Sequence, residues 1–328
     1  MYAVRRIFRI AILVLFIVMV FRVLHMFHCE GVEEKKDVSI IQHLREQPSF
    51  VIGDEAFSCN HSLLWLNQMP VQYSHVGKTG GTTVDAVLIE WQRMVLPNKL
   101  HHYYGNFTLE GILKWNCRGI DNFDSGLFLG QVGIGYCDKM VQAGVKPFTI
   151  ITLREPIELF RSGYEYVIEH PMIYPETVYL NNKSLSEWIV YWDKNQNSHG
   201  AVMFRQVLKS SSSHLCGVHQ CSGLTDTEAL SLALKNLKKC DVVAVTEKLK
   251  EILDQFRFLL PDFNKVFDCN YRLPFKNKVK KSKEPLTKEA LEILNRWAKY
   301  EKIIYKEGLA RHEYLTKRAR VCMALESK

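Results

Sequence analysis

The chain has 328 residues, 47% of them hydrophobic and 24% charged, which is long and apolar enough for one sizeable buried core. That composition excludes an intrinsically disordered chain, and the lack of a fixed period excludes a repeat array. The formal net charge of +8 suits an acidic partner, whether nucleotide, polyanionic glycan or anionic membrane, without choosing among them.

The N-terminus carries the first element. Ile10 to Phe21 is uninterruptedly apolar, and the stretch reaches Ile7–Phe27 if Arg9 and Arg22 extend to the interface. Roughly 20 apolar residues span a bilayer, and basic side chains near the ends of such a helix can snorkel. Arg5, Arg6 and Arg9 precede the run and predict a cytoplasmic N-terminus. A cleaved signal peptide is the competing reading, but no small-x-small site follows. The signal anchor is preferred, which sends the rest of the chain into the secretory lumen. Three glycosylation sequons, at Asn60, Asn106 and Asn182, point the same way. So do nine cysteines, which suit an oxidising compartment. The expected organisation is a cytoplasmic tail at 1–6, a transmembrane helix at 7–27, a lumenal stem at 28–69, a folded domain at 70–316 and a C-terminal tail at 317–328.

Within the domain, Val71–Val76 reads as a strand, and Thr82 or Thr83 can cap a helix over Val84–Val95. Leu100–Tyr104 and Leu127–Val132 are further strand candidates, and Phe148–Leu153 is a strand. Glu155–Ile168 is a helix with Pro156 in its first turn. Thr225 and Glu228 form a capping-box pattern ahead of Ala229–Leu237. A strand at Asp241–Val245 precedes a helix at Glu247–Leu260, and one long amphipathic helix is expected from Thr287 to Leu309. Strands alternating with helices predict a three-layer α/β domain with a central parallel sheet. Trp188, Tyr191 and Trp192 read as helix core, although aromatic faces also stack on sugars.

The chemistry centres on His75-Val76-Gly77-Lys78-Thr79-Gly80-Gly81-Thr82-Thr83, between a strand and a helix. Gly80 and Gly81 let backbone N–H groups approach a phosphate, and the helix N-terminus adds positive potential. Lys78 supplies a full charge, and Thr82 and Thr83 supply hydroxyls. A Walker-type loop places its lysine after the last glycine; here the lysine comes first. A metal-dependent kinase is therefore a poor reading. Arg154 ends the strand at Leu153, and Ser162 follows eight residues later in the next helix, a pairing suited to a second phosphate. Together the two elements imply a ligand with phosphates at two separated positions.

These segments resemble a known family. Residues 78–83 look like the 5′-phosphosulfate loop of sulfotransferases that use PAPS (3′-phosphoadenosine 5′-phosphosulfate), and the segment from Arg154 to Tyr164 looks like their 3′-phosphate motif. Leu215–Cys221 and Val243-Ala244-Val245-Thr246-Glu247 are similar to the heparan sulfate 2-O- and uronyl 2-O-sulfotransferase branch, so the resemblance covers roughly residues 70 to 312. It implies a P-loop-like strand-loop-helix that binds PAPS. Lys78 would meet the bridging oxygen of the donor, while Thr79, Gly80, Gly81, Thr82 and Thr83 cradle the phosphosulfate. Arg154 and Ser162 would hold the 3′-phosphate, PAP would be the product, and no metal is implied.

The same resemblance implies a Golgi, single-pass type II location, with a polyanionic or uronic-acid-containing glycan as acceptor. No nucleic acid is implied, and homo-oligomerisation is left open. In that branch a histidine on the strand before the 3′-phosphate strand serves as general base. The matching position here is Gln131, which accepts no proton at neutral pH. Three explanations stay open: another residue serves as base, with His75 nearest and His101 and His102 on another strand; or the register differs; or the protein binds PAPS without fast turnover. The last option gives the alternative reading, a catalytically weak glycan-binding or scaffold protein of the Golgi lumen. Cys216 and Cys221 are expected to close a short loop as a disulfide. The lysine run from Lys276 to Lys283 reads as a solvated loop or as a track for an acidic glycan.

Overall fold

Apolar β-rich runs that stay buried along their whole length form parallel sheets, because helices cover such strands. Phe148–Leu153 is the clearest case, with every residue buried. The computed structural model describes residues 70–95, 100–103, 126–130, 147–169, 183–216, 223–260, 262–268, 270–273 and 284–326. Their strands are β1 (Pro70–Ser74), β2 (Leu100–Tyr103), β3 (Gly126–Gly130), β4 (Phe148–Leu153) and β5 (Val242–Val245). They form one sheet in the order β2-β3-β1-β4-β5, and every neighbouring pair is parallel. The fold is α/β.

Ten α-helices are described: α1 (Gly81–Val95), α2 (Pro156–Glu169), α3 (Leu185–Lys194), α4 (His199–Leu208), α5 (Ser210–Cys216), α6 (Asp226–Leu237), α7 (Ile252–Leu259), α8 (Phe263–Val266), α9 (Lys288–Trp297) and α10 (Lys299–Glu326). One core joins the sheet to α1, α6, α7 and α10 through residues such as Tyr73, Leu88, Ile150, Leu237, Phe256 and Leu315. A second gathers α2, α3, α4 and α9 around Phe160, Trp192, Phe204 and Leu294. Trp192 and Phe204 stack there at 4.4 Å between centroids.

Several boundaries differ from the sequence reading for local reasons. Helix α1 begins at Gly81, so Thr82 and Thr83 sit inside its first turn and neither caps it. Instead the Gly80 carbonyl accepts from Thr83 N–H at 3.0 Å. The segment after β5 opens as a 3₁₀ turn at Thr246–Glu251, and the α-helix starts only at Ile252. The long C-terminal helix is broken at Ala298, whose φ of −87° and ψ of 9° end α9. Helix α10 then continues to Glu326, into the stretch set apart as a tail, and buries Ala319 and Cys322. The Thr225 capping box is present as expected, with Thr225 accepting from Glu228 N–H. Of the aromatic trio on α3, Trp188 and Trp192 are buried but Tyr191 is 42% exposed.

The apolar segment 7–27, the stem, the sequons, Gln131, Cys221 and the lysine run from Lys276 lie outside the described residues. Among the described residues, no helix is long and apolar enough to cross a membrane. Cys216 and Cys322 each take part in a disulfide, the expected partner Cys221 lying outside the described residues, and Cys240 is a buried free thiol.

Candidate functional site

From β1 the chain moves to β2 and β3 on one side of the sheet, then crosses to β4 and β5 on the other. The carboxyl ends of β1 and β4 therefore flank a topological switch point, where open α/β sheets bind ligands. The loop His75–Gly80 leaves β1 there, and Arg154 leaves β4 beside it.

The loop is held from below by hydroxyl groups. Thr79 Oγ1 donates to the Val76 carbonyl at 2.7 Å and lies 2.8 Å from Thr152 Oγ1 on β4, which in turn lies 2.8 Å from the Tyr73 hydroxyl. Its crest carries unusual backbone. Lys78 has φ of +64° and Gly80 has φ of +79°. Glycine takes that conformation freely, but a lysine there is held against a cost of about 1–3 kcal/mol, a pattern that clusters at functional sites. What holds it is Arg154, whose Nη1 donates to the Lys78 carbonyl at 2.9 Å. The Arg154 side chain is 13% exposed, reaches within 4.0 Å of Glu158, and its Nε is buried with no acceptor among the described residues.

Lys78 extends toward α2, where its Nζ stands 3.9 Å from the centroid of the Tyr166 ring. Burial, and then the Arg154 guanidinium, hold its pKa below the ordinary lysine value, with Glu169 and Glu165 offsetting part of the effect. The first turn of α1 carries no acidic residue, so the positive potential at that helix start is not neutralised locally. Of the sequence-predicted phosphate ligands, Thr82 is exposed, Thr83 is 2% exposed and Ser162 is 8% exposed on α2.

His75 is buried, with Nδ1 2.8 Å from Asp85 Oδ2 on α1. Its ring lies against Gly81, where an added Cβ would fall 2.2 Å from His75 Cδ2 and 2.3 Å from Nε2. The first glycine of α1 thus makes room for a histidine at the base of the loop. The carboxylate orients the ring and favours the tautomer with its proton on Nδ1, which leaves the basic lone pair on Nε2. His101 and His102 lie on the edge strand β2, separated from β1 by β3.

The structure brings together Lys78, Thr79, Gly80, Gly81, Arg154 and His75 at one end of the sheet. Sequence reading missed Asp85, Tyr166, Thr152 and the role of Thr246, whose hydroxyl donates to the Thr79 carbonyl at 2.7 Å. Two of these had a signal. Asp85 sits in the second turn of the helix after a strand-end histidine, and Tyr166 lies one helical turn beyond Ser162. Compared with protein-family models and with curated proteins, the sequence matches none.

Proposed function

We propose that this chain is a sulfotransferase that moves a sulfuryl group from PAPS to a hydroxyl of a lumenal glycan. The observation that carries the reading is the convergence of two cationic elements, Lys78 and Arg154, at the switch point between β1 and β4, joined by the 2.9 Å hydrogen bond to the Lys78 carbonyl. The buried, acceptor-less Arg154 Nε supports an anionic ligand at that end of the sheet. A three-layer arrangement around the sheet, an N-terminal anchor at 7–27 and a Golgi location belong to the same proposal.

In this reaction the acceptor oxygen forms a bond to sulfur as the bond from sulfur to the bridging oxygen of PAPS breaks. The acceptor proton passes to a base, and PAP departs with an added negative charge. Lys78 is proposed to face that growing charge, and such electrostatic stabilisation is often a large catalytic contribution. His75, whose ring Asp85 orients, is the candidate we propose for that base.

The test uses the purified full-length protein. Isothermal titration should give tight binding of PAP and weak binding of ATP, and radiolabelled PAPS should transfer label to at least one acidic glycan in a panel. No PAP binding would overturn the nucleotide reading. PAP binding without transfer to any glycan would favour a nucleotide-fold binding protein instead.

A further inference from the structure

Thr246 and Glu247 follow β5 directly, and between them they hold the backbone on both sides of the site. The Thr246 hydroxyl donates to the Thr79 carbonyl at 2.7 Å and lies 3.1 Å from the Leu153 carbonyl, so its one proton is shared between the loop and the end of β4. Glu247 accepts the Glu155 N–H on Oε1 at 3.2 Å and the Tyr305 hydroxyl on Oε2 at 3.0 Å. Arg154 is therefore bracketed, with the carbonyl before it and the N–H after it both held by adjacent residues. Beneath the loop, a Cβ on Gly80 would meet Leu249 Cδ2 at 3.0 Å and Thr246 Cγ2 at 3.8 Å, so this same segment also supports the crest.

The peptide plane gives the contact a direction. A trans peptide points its C=O and N–H opposite ways. With the Thr79 carbonyl turned onto Thr246, the Gly80 N–H is turned away from Thr246. The same hydroxyl ties the loop to the carboxyl end of β4, beside Arg154.

We infer that Thr246, with Glu247 behind it, is a positioning residue that fixes the spacing of two phosphate subsites and so selects nucleotides phosphorylated at both ends. This rests on the proposed PAPS reading. A ligand that engages two subsites at once gains from their fixed separation, and a ligand that engages one does not.

The experiment titrates the full-length protein with PAP, 5′-AMP and 3′-AMP, and follows thermal unfolding of each variant in parallel. Thr246→Val keeps the methyl and branching but removes the proton. It should weaken PAP about tenfold and leave each monophosphate within about twofold of wild type. Thr246→Ser, which keeps the donor, should retain the preference for PAP. Equal losses for all three nucleotides, an unchanged PAP affinity in the valine variant, or loss of the preference in the serine variant would each overturn the inference. If wild type itself fails to prefer PAP, the nucleotide reading falls and takes this one with it. If wild type prefers PAP and Thr246→Val does too, only the brace is wrong.

Discussion

The Lys78 ammonium rests on the face of the Tyr166 ring, 3.9 Å from its centroid. A contact of this kind at a partly shielded site is worth about 1 kcal/mol in favour of the charged amine. It opposes burial and Arg154, which both push the proton off. Replacing Tyr166 by Leu should therefore lower the Lys78 pKa further, while Phe should leave it unchanged. Acylation of Lys78, followed by mass spectrometry across a pH series, reads this without any assay of activity. A leucine variant whose reactivity profile overlays wild type would remove the ring from the account.

Arg154 holds the Lys78 carbonyl and, in the proposed function, the 3′-phosphate, so its loss should be felt in two ways. Arg154→Ala should weaken PAP by about 1.5–3 kcal/mol, as expected for a charge-assisted contact. Adenosine 5′-phosphosulfate lacks the 3′-phosphate and should lose less. Its loss should still be measurable, because the Lys78 carbonyl is also released. Identical losses for the two nucleotides in calorimetry would show that Arg154 acts on the loop alone.

Gly81→Ala drives a methyl to 2.2 Å from the His75 ring and must displace either the ring or α1. Overpacking of this kind costs about 1–3 kcal/mol. Gly77→Ala makes a control of the same chemistry, because nothing lies within 4 Å of the added carbon. It should stay within about 0.5 kcal/mol of wild type. Denaturant titration of the pair separates crowding from a general intolerance of side chains in this loop.

Away from the site, Glu301 should make stability depend on pH. It is 3% exposed, Oε1 accepts from Ser212 N–H at 3.3 Å, and Oε2 has no partner among the described residues. Burial raises its pKa from 4.5 to about 7. The folded protein then holds a proton that the unfolded chain has released, so stability falls as pH rises from about 4.5 to about 7. His214 works with the opposite sign, because burial lowers its pKa from 6.5 to about 4 and stability is lost as pH falls through that window. In Glu301→Gln the first effect vanishes and the second remains. The variant should match wild type near pH 4 and exceed it by about 3 kcal/mol above pH 7. A difference that does not change with pH would mean that Glu301 stays ionised in the fold.

Much of this arrangement could be read from residues alone, because the signals were local. The strand at Phe148–Leu153 announced itself by an apolar run bounded by Arg154 and Pro156, and the Thr225 cap by its partner three residues on. The place of the loop between a strand and a helix was equally legible, since Gly80 and Gly81 follow an apolar run and precede a helical pattern. What could not be read depends on distance in sequence. Thr246 reaches a carbonyl 167 positions away, and Thr152 reaches Thr79 across 73. The helix start also escaped, because threonines make good caps but the Gly80 carbonyl already fills that role. Likewise Ala298 is a strong helix former, yet it ends α9 where the chain turns to run into α10.

Helix α10 reaches back to the edge of the sheet. Arg311 donates to the Cys240 carbonyl, just before β5, at 3.2 Å from Nε, and His312 Nδ1 stands 2.8 Å from the Val243 carbonyl within it. Leu315, Ala319 and Cys322 complete the same core. Because a chain is made from its N-terminus, these groups leave the ribosome after every strand they cover. The sheet must therefore wait, with part of one apolar margin uncovered, until α10 has been made. A premature stop before Arg311 would release a chain whose loop from His75 to Gly80 is intact in sequence but whose β5 lacks the α10 side chains that cover it, and quality control would meet it as a partly exposed edge strand.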